Sequence, residues 1–339
     1  MRTTPALTPR EVASTIDDLV AGATDRRPFH NADGKSGSGF ERLRIDGRPH
    51  VLKVMHVDDD WIARSAGDLA CRQVTVFAAG VLDALPPSID APVVGAARGF
   101  GPRGLGAAVL MADVGDRLVP EGDAAVPAAQ HAAFVDHLAE LSAAFWGWTD
   151  TVGLMPPSIR WSFFGPGMIE VERARGFPDP VPGIAARGWE AFDERAPADV
   201  RSAVQDLRAS PWVVADALAA TPSTFVHGDW KMGNLGSHAD GRTILLDCAY
   251  PGEGQACAEL AWYLALNAAR LPEPKEAAIA RFRAALDRHG VNTAAGWWDR
   301  QLGLALLGML VIFGWEKSLG AQAELDWWIA RARAGTAWL

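Results

Sequence analysis

The chain opens with "TPREVASTIDDLVAGA", apolar residues at helical spacing behind Thr8-Pro9, which predicts a first helix. From Gly34 the pattern changes. In "GKSGSGFERLRIDGRPHVLKVM" glycines alternate with small polar residues, and two runs of period two flank an Asp46-Gly47 turn. This predicts a glycine-rich turn leading into a β-hairpin. In its second strand Val51, Lys53 and Met55 share one face while Leu52 and Val54 share the other. Lys53 is therefore a cation on an apolar face, and its plain structural reading is an edge lysine with its stem laid over apolar surface. A helical segment follows over "DDDWIARSAGDLACRQVTVFAAGVLDAL", then strand-like runs at "APVVGAA" and "GAAVLMADVG".

Beyond that point the pattern is mostly helical. "PAAQHAAFVDHLAELSAAFWG" reads as an alanine-rich amphipathic helix, and residues 150–185, rich in Pro and Gly, read as irregular. Helical spacing returns over 198–220, 256–270, 274–289 and from 295 onward. The expected architecture is α+β and bilobal. A small strand-rich lobe, residues 1–112, joins near Met111 to Gly115 to a larger helical lobe, residues 113–339.

Composition narrows the function classes. At 339 residues, 49% hydrophobic and 22% charged, the chain has ordinary globular make-up for one large or two medium domains. A net charge of −9 argues against a nucleic-acid partner. "MRTTPALTPREVAS" has no apolar core of a secretory signal. The longest apolar run, "LGLALLGMLVIFGW", falls short of the roughly 20 residues that span a bilayer, so a buried helix and no membrane partner are expected. Cys71, Cys248 and Cys257, odd in number and far apart, suggest neither a disulfide framework nor a zinc site, and predict a reducing cytoplasm. Of 14 tryptophans only Trp61 lies in the first 140 residues. Most read as core of the helical lobe, and the remainder suit a pocket for sugars, rings or cations.

Two stretches carry candidate chemistry. Gly34-Lys35-Ser36 resembles the end of a phosphate-binding P-loop, but Phe29 stands where that motif needs glycine, and a hairpin follows instead of a helix. A glycine-rich loop between strands has another use, laying its backbone over nucleotide phosphates. The second stretch is "FVHGDWKMGNLG", in which Asp229 and Asn234 stand five apart, the D-x-x-x-x-N spacing of a kinase catalytic loop, with Lys231 between them. "HADGRT" supplies a turn and "TILLD" returns, so a short hairpin would bring Asp247 beside Asn234. A carboxylate next to an amide oxygen suits a hard cation such as Mg²⁺. Asp229 is then free to take or orient a hydroxyl proton. Each residue alone reads as a turn or cap. The order carries the argument: glycine-rich loop, strand lysine, helix, second lobe, H-x-D-x-x-x-x-N, hairpin, aspartate.

On "HGDWKMGN", "LLDCAYPGEGQACAELAWYL" and "LAELSAAFWG", the last with Ser142 at a family histidine position, the chain resembles the aminoglycoside phosphotransferase-like and choline-kinase-like small-molecule kinases. The likeness runs from about Gly34 to the C-terminal helices. It implies a protein-kinase-like fold, ATP and Mg²⁺ as cofactors, and residues 1–112 as the nucleotide-binding lobe. By position it implies Asp229 as catalytic aspartate, Asn234 and Asp247 as metal ligands, and Lys53 as the lysine on the α- and β-phosphates. Gly37 and Gly39 fall in the glycine-rich loop, and backbone from Met111 to Val114 would meet the adenine. His227 braces the loop, and Lys231 is a candidate for stabilising transition-state charge. Two departures stand out. Gln73 occupies the place of the glutamate that pairs with the strand lysine, with Asp68 as a possible substitute. Glu259 replaces an aspartate that steadies the catalytic loop.

The expected reaction is transfer of the γ-phosphoryl group of ATP to a hydroxyl of a small molecule. Tryptophans with nearby carboxylates nominate Trp298, Asp299, Trp315 and Glu316 for the acceptor, an amino sugar, an aminoglycoside-like compound or another natural-product alcohol. Two other readings stay open: a catalytically silent nucleotide-binding protein, favoured by Gln73, and a P-loop NTPase centred on Lys35. Oligomeric state is not legible.

Overall fold

The structure, a computed structural model, describes residues 5–30, 37–101 and 103–339. Gly34, Lys35 and Ser36 lie outside the described residues. The strands are β1 (Thr24–Phe29), β2 (Gly39–Ile45), β3 (Arg48–His56), β4 (Ile89–Asp90), β5 (Val93–Gly101), β6 (Gly104–Ala112), β7 (Thr224–Val226), β8 (Leu235–Ser237), β9 (Thr243–Leu245) and β10 (Gly252–Gly254). The helices of the first lobe are α1 (Ile16–Leu19), α2 (Trp61–Ser65) and α3 (Arg72–Ala78). Those of the second are α4 (Ala128–Ala144), α5 (Pro157–Arg160), α6 (Pro166–Ala174), α7 (Pro180–Arg195), α8 (Ala198–Ala209), α9 (Trp212–Ala219), α10 (Ala256–Leu266), α11 (Lys275–Arg288), α12 (Trp298–Leu319) and α13 (Gln322–Gly335). The fold is α+β and bilobal, a strand-rich first lobe and a helical second one.

An antiparallel sheet of order β1-β2-β3-β6-β5 forms the first lobe. The Asp46-Gly47 hairpin is present, with Ile45 opposite Arg48 and Phe40 opposite Lys53. β1 carries no clear alternation and was not legible as a strand. Lys53 and Met55 face α3 with Val74, Phe77, Val109 and Met111, while Leu52 packs on the opposite face with Leu43, Leu110 and Val20.

The helical expectations need three corrections. The first helix is only α1, because residues 10–13 hydrogen-bond to other segments: Arg10 N to Ala78 O (2.8 Å) and Ala13 N to Ala96 O (2.9 Å). Thr15 then caps what remains of the helix. The segment after β3 is two short helices, broken at Gly67 (φ +60°) and Cys71 (φ 57°). Asp68 accepts from Arg72 N with both oxygens at the start of α3. Finally, residues 150–185 are irregular only in part, with α5, α6 and the start of α7 among them. Prolines sit in the first turns of α5, α6 and α7, where their missing N–H costs no helical bond.

In the second lobe α12 is the central element, packed by α7, α10 and α13. It is 22 residues long, enough to cross a bilayer by length and composition, yet 78% of its apolar window is buried inside the protein. The sequence break at 112/113 marks the end of β6, and packing crosses it. Trp61, Val76 and Ile89 join the large core of the helical lobe, and β4 pairs parallel with β9. The three cysteines are free.

Candidate active site

The loop between β7 and β8 is held from below. β7 and β10 pair antiparallel, with Val226 opposite Gly252, and the chain then turns through Gly228 at φ +85°. A Cβ there would stand 2.0 Å from the Tyr250 carbonyl oxygen, so only glycine fits. Glu259 on α10 reaches under the loop: its carboxylate accepts from Gly228 N (2.9 Å) and Trp230 N (3.2 Å). The extra methylene relative to aspartate is thus used for reach. Asn267 accepts from Met232 N at 2.9 Å. His227 is fully buried, and its Nδ1 accepts from Asp229 N at 3.2 Å. Burial lowers its pKa, so the ring is a neutral brace.

On this support Asp229 is 3% exposed and fixed from three sides. Its Oδ1 accepts from Trp262 Nε1 at 2.9 Å, and its Oδ2 accepts from Asn234 Nδ2 and Lys231 Nζ, both at 2.8 Å. Burial raises its pKa, against the opposing charge and hydrogen bond of Lys231. Asn234 Nδ2 also donates to Asp229 O at 3.0 Å. With the amide nitrogen turned to Asp229, its oxygen is the atom left for a cation.

The β8–β9 hairpin returns as the sequence suggests: Leu235 opposes Leu245, and Leu246 N donates to Asn234 O at 2.9 Å. Asp247 then takes the left-handed conformation, φ 60°, uncommon for a residue with a side chain. Its Oδ1 accepts from Lys53 Nζ (2.8 Å) and Gln73 Nε2 (2.7 Å), joining β3 and α3 to the second lobe. Burial pushes the Asp247 carboxyl up, but the Lys53 charge and hydrogen bond, with Lys231 and His227 nearby, hold it below the usual range. Lys53 is 6% exposed along its side chain, so it is a buried cation and not an edge lysine.

Several sequence expectations are redistributed. Gln73 contacts Asp247, and Asp68 accepts from the first N–H of α3, that of Arg72. Gly37 is pressed onto the chain after β3, since a Cβ there would lie 1.7 Å from Asp59 O, whereas at Gly39 the nearest atom is 3.9 Å away. Met111 lies inside the sheet opposite Val51 and Val93, and the N–H groups of Ala112 and Asp113 donate to Pro92 O and Pro49 O. Val114 is buried just past the end of the sheet. The acceptor set is not one site. Trp298 and Asp299 start α12 and Trp315 and Glu316 are near its end, about 25 Å apart at 1.5 Å per residue. Trp298 is buried and Asp299 exposed, Trp315 packs on Phe164, and Glu316 pairs with Lys317.

Sequence reasoning missed Trp262, Arg160 and Asp60. Trp262 sits three residues past Glu259 in "ELAWYL", one face of α10, a spacing that turns both side chains toward the loop. Arg160, 4% exposed, donates to Tyr250 O, and the charge of Glu259 acts on it. Asp60, 7% exposed, heads the pattern D-W-I-A of a helix start.

The chain matches no protein-family model and no curated protein sequence. Solved structures are similar to it. Amicoumacin kinase hAmiN in complex with AMP-PNP, Ca²⁺ and Ami is 10% identical over 96% of this chain and 90% of its own, with a TM-score of 0.53. Aminoglycoside phosphotransferase APH(4)-Ia is 14% identical over 95% of this chain and 96% of its own, with a TM-score of 0.47. Choline kinase LicA from Streptococcus pneumoniae is 12% identical over 95% and 96%, with a TM-score of 0.45. At these identities the likeness is one of fold, and the first of them carries it: the chain has the bilobal fold of a small-molecule kinase.

Proposed function

We propose that the chain is an ATP- and Mg²⁺-dependent phosphotransferase that moves the γ-phosphoryl group to a hydroxyl of a small molecule. One observation supports this most. Lys53, Asn234, Asp247 and Asp229 come from β3, the β7–β8 loop and the end of a hairpin, yet form two adjacent hydrogen-bonded groups, Lys53–Asp247–Gln73 and Asn234–Asp229–Lys231, brought side by side where Leu246 N donates to Asn234 O. The residues fit a magnesium ion: Asp247 offers a carboxylate and Asn234 an oriented amide oxygen, both hard ligands. Among the described residues no cluster of three or more His, Cys, Asp or Glu forms a metal site, so phosphates and water would complete the shell. Bound there, the ion would neutralise triphosphate charge.

The protein's own groups do the rest. Lys53 sets the position of the phosphates. Asp229, its oxygens fixed by Trp262 and Asn234, aligns the attacking hydroxyl and takes its proton late, and burial makes it the more basic for that task. Lys231 offsets charge on the equatorial oxygens. Catalysis on this reading is positioning and electrostatics.

The test is a phosphotransfer screen over amino sugars, aminoglycosides, choline-like alcohols and macrolides, read by ³¹P NMR. Asp229→Asn is expected to abolish turnover and to keep nucleotide binding, and a fully active Asp229→Asn protein would sink the reading. A silent nucleotide-binding protein is the second reading, favoured by the uncharged Gln73. It predicts a thermal shift with ATP but no phosphotransfer and no slow hydrolysis.

A further inference from the structure

Lys53 has a problem that its present contacts do not solve. Its partner here is Asp247 Oδ1, the oxygen that Gln73 also holds, and that carboxylate is the one a nucleotide-bound cation would claim. Once Asp247 turns to a cation, Lys53 is left buried beside Gln73, which has no charge, while Asp68, the other carboxylate of that segment, is engaged by the N–H of Arg72. A buried ammonium needs a counter-charge.

A third carboxylate is in reach of the same space. Asp60, Asp68, Gln73 and Met55 line one small cavity of ≈ 20 Å³, room for about one water molecule. Met55 lies on the Lys53 face of β3, and Gln73 meets Lys53 on a shared oxygen. Asp60 caps α2 through Oδ1, accepting from Ile62 N (2.8 Å) and Ala63 N (3.2 Å), which leaves its other oxygen for the cavity side and for Ser38 Oγ at 3.4 Å. We propose that Asp60 is the counter-charge of Lys53 in the nucleotide-bound state, doing from the cap of α2 what a glutamate in place of Gln73 would do. Burial raises its pKa, against the opposing charge of Lys53 and the two cap bonds. Through Ser38 the same residue ties the glycine-rich turn to the phosphate-binding lysine. Asp60 is a positioning residue, and the inference rests on the kinase reading of the site.

Three variants test it, with Mg²⁺ and AMP-PNP as the probe and calorimetric Kd as the readout. Asp60→Asn keeps size and capping, since asparagine is as good a cap as aspartate, and removes only charge. It is expected to weaken binding about tenfold, one pKa-unit equivalent of interaction, with a melting temperature close to that of the native chain. Gln73→Glu in the Asp60→Asn background is expected to recover most of the loss. In a Lys53→Met background Asp60→Asn is expected to have no further effect. Should Asp60→Asn fold poorly, Asp60→Ser, a neutral cap of different shape, carries the same expectation. A native-like Kd for Asp60→Asn, or a loss that persists undiminished without Lys53, overturns the inference while leaving the kinase reading intact. Failure of the native chain to bind AMP-PNP overturns both.

Discussion

Replacing Glu259 tests how the β7–β8 loop is held. Its carboxylate, 3% exposed, accepts from Gly228 N and Trp230 N, and the charge of Arg160 lies close enough to be affected by it. A hydrogen bond to a charged group contributes about 1.5–3 kcal/mol net, and a buried N–H left without a partner costs about 1–3 kcal/mol. Glu259→Gln keeps the shape and an oxygen that can meet both N–H groups, as Oε1 does, but removes the charge and turns an NH₂ toward Gly228 N in place of Oε2. The expected loss is about 1–3 kcal/mol, a sizeable share of a typical folding free energy. Glu259→Asp keeps the charge and draws the carboxylate back by about 1.5 Å, the length of one C–C bond. Contacts of 2.9 Å then leave hydrogen-bond range, so it is expected to be about as damaging. Urea unfolding, followed in parallel by far-UV circular dichroism and tryptophan fluorescence, measures this as a lower midpoint at constant slope. Changes under about 0.5 kcal/mol for both variants, or a native-like Glu259→Asp, would refute the bracing argument.

Other expectations follow from the same geometry. Gly37→Ala places a Cβ 1.7 Å from the Asp59 carbonyl and is expected to displace the glycine-rich turn and lower the ATP-induced thermal shift, whereas Gly39→Ala, with 3.9 Å of clearance, is expected to be tolerated. Equal damage from both would mean that the glycines serve ligand approach and not packing. Lys231→Ala is expected to lower kcat more than it raises KM for ATP, because its contact is with Asp229. Trp262→Phe removes the donor to Asp229 Oδ1 and keeps most of the ring volume, so kcat is expected to fall with little change in Kd for AMP-PNP. For pH, burial lowers the pKa of both His131 and His137 from 6.5, so the unfolded chain takes up protons that the folded one resists. Stability is therefore full above about pH 6.5 and falls as pH drops below it. A melting temperature flat between pH 7.5 and 5.5, in roughly that window, would contradict this.

The β2–β3 hairpin, α4, the loop residues Asp229 and Asn234, and the return of Asp247 were all legible in the sequence, because each depends on short-range facts: a period of two or of 3.6, an Asp-Gly turn, a fixed spacing within one loop. What failed was decided at long range. The first helix gave way to hydrogen bonds with Ala78 and Ala96, and prolines that look like breakers in a list became helix starts once neighbouring helices packed on them. Trp298 and Trp315 looked alike in sequence, yet a straight helix holds them at opposite ends. By itself the sequence determined which groups could do chemistry and the order in which the chain presents them. Only the tertiary structure decided which buried group faces which, giving Asp247 to Lys53 and Gln73, Trp262 to Asp229, Glu259 to the loop amides and Asp60 to the cavity it shares with Gln73. Burial is the reason. Away from water a charge must find its partner among whatever the fold brings near, and no local pattern records that choice.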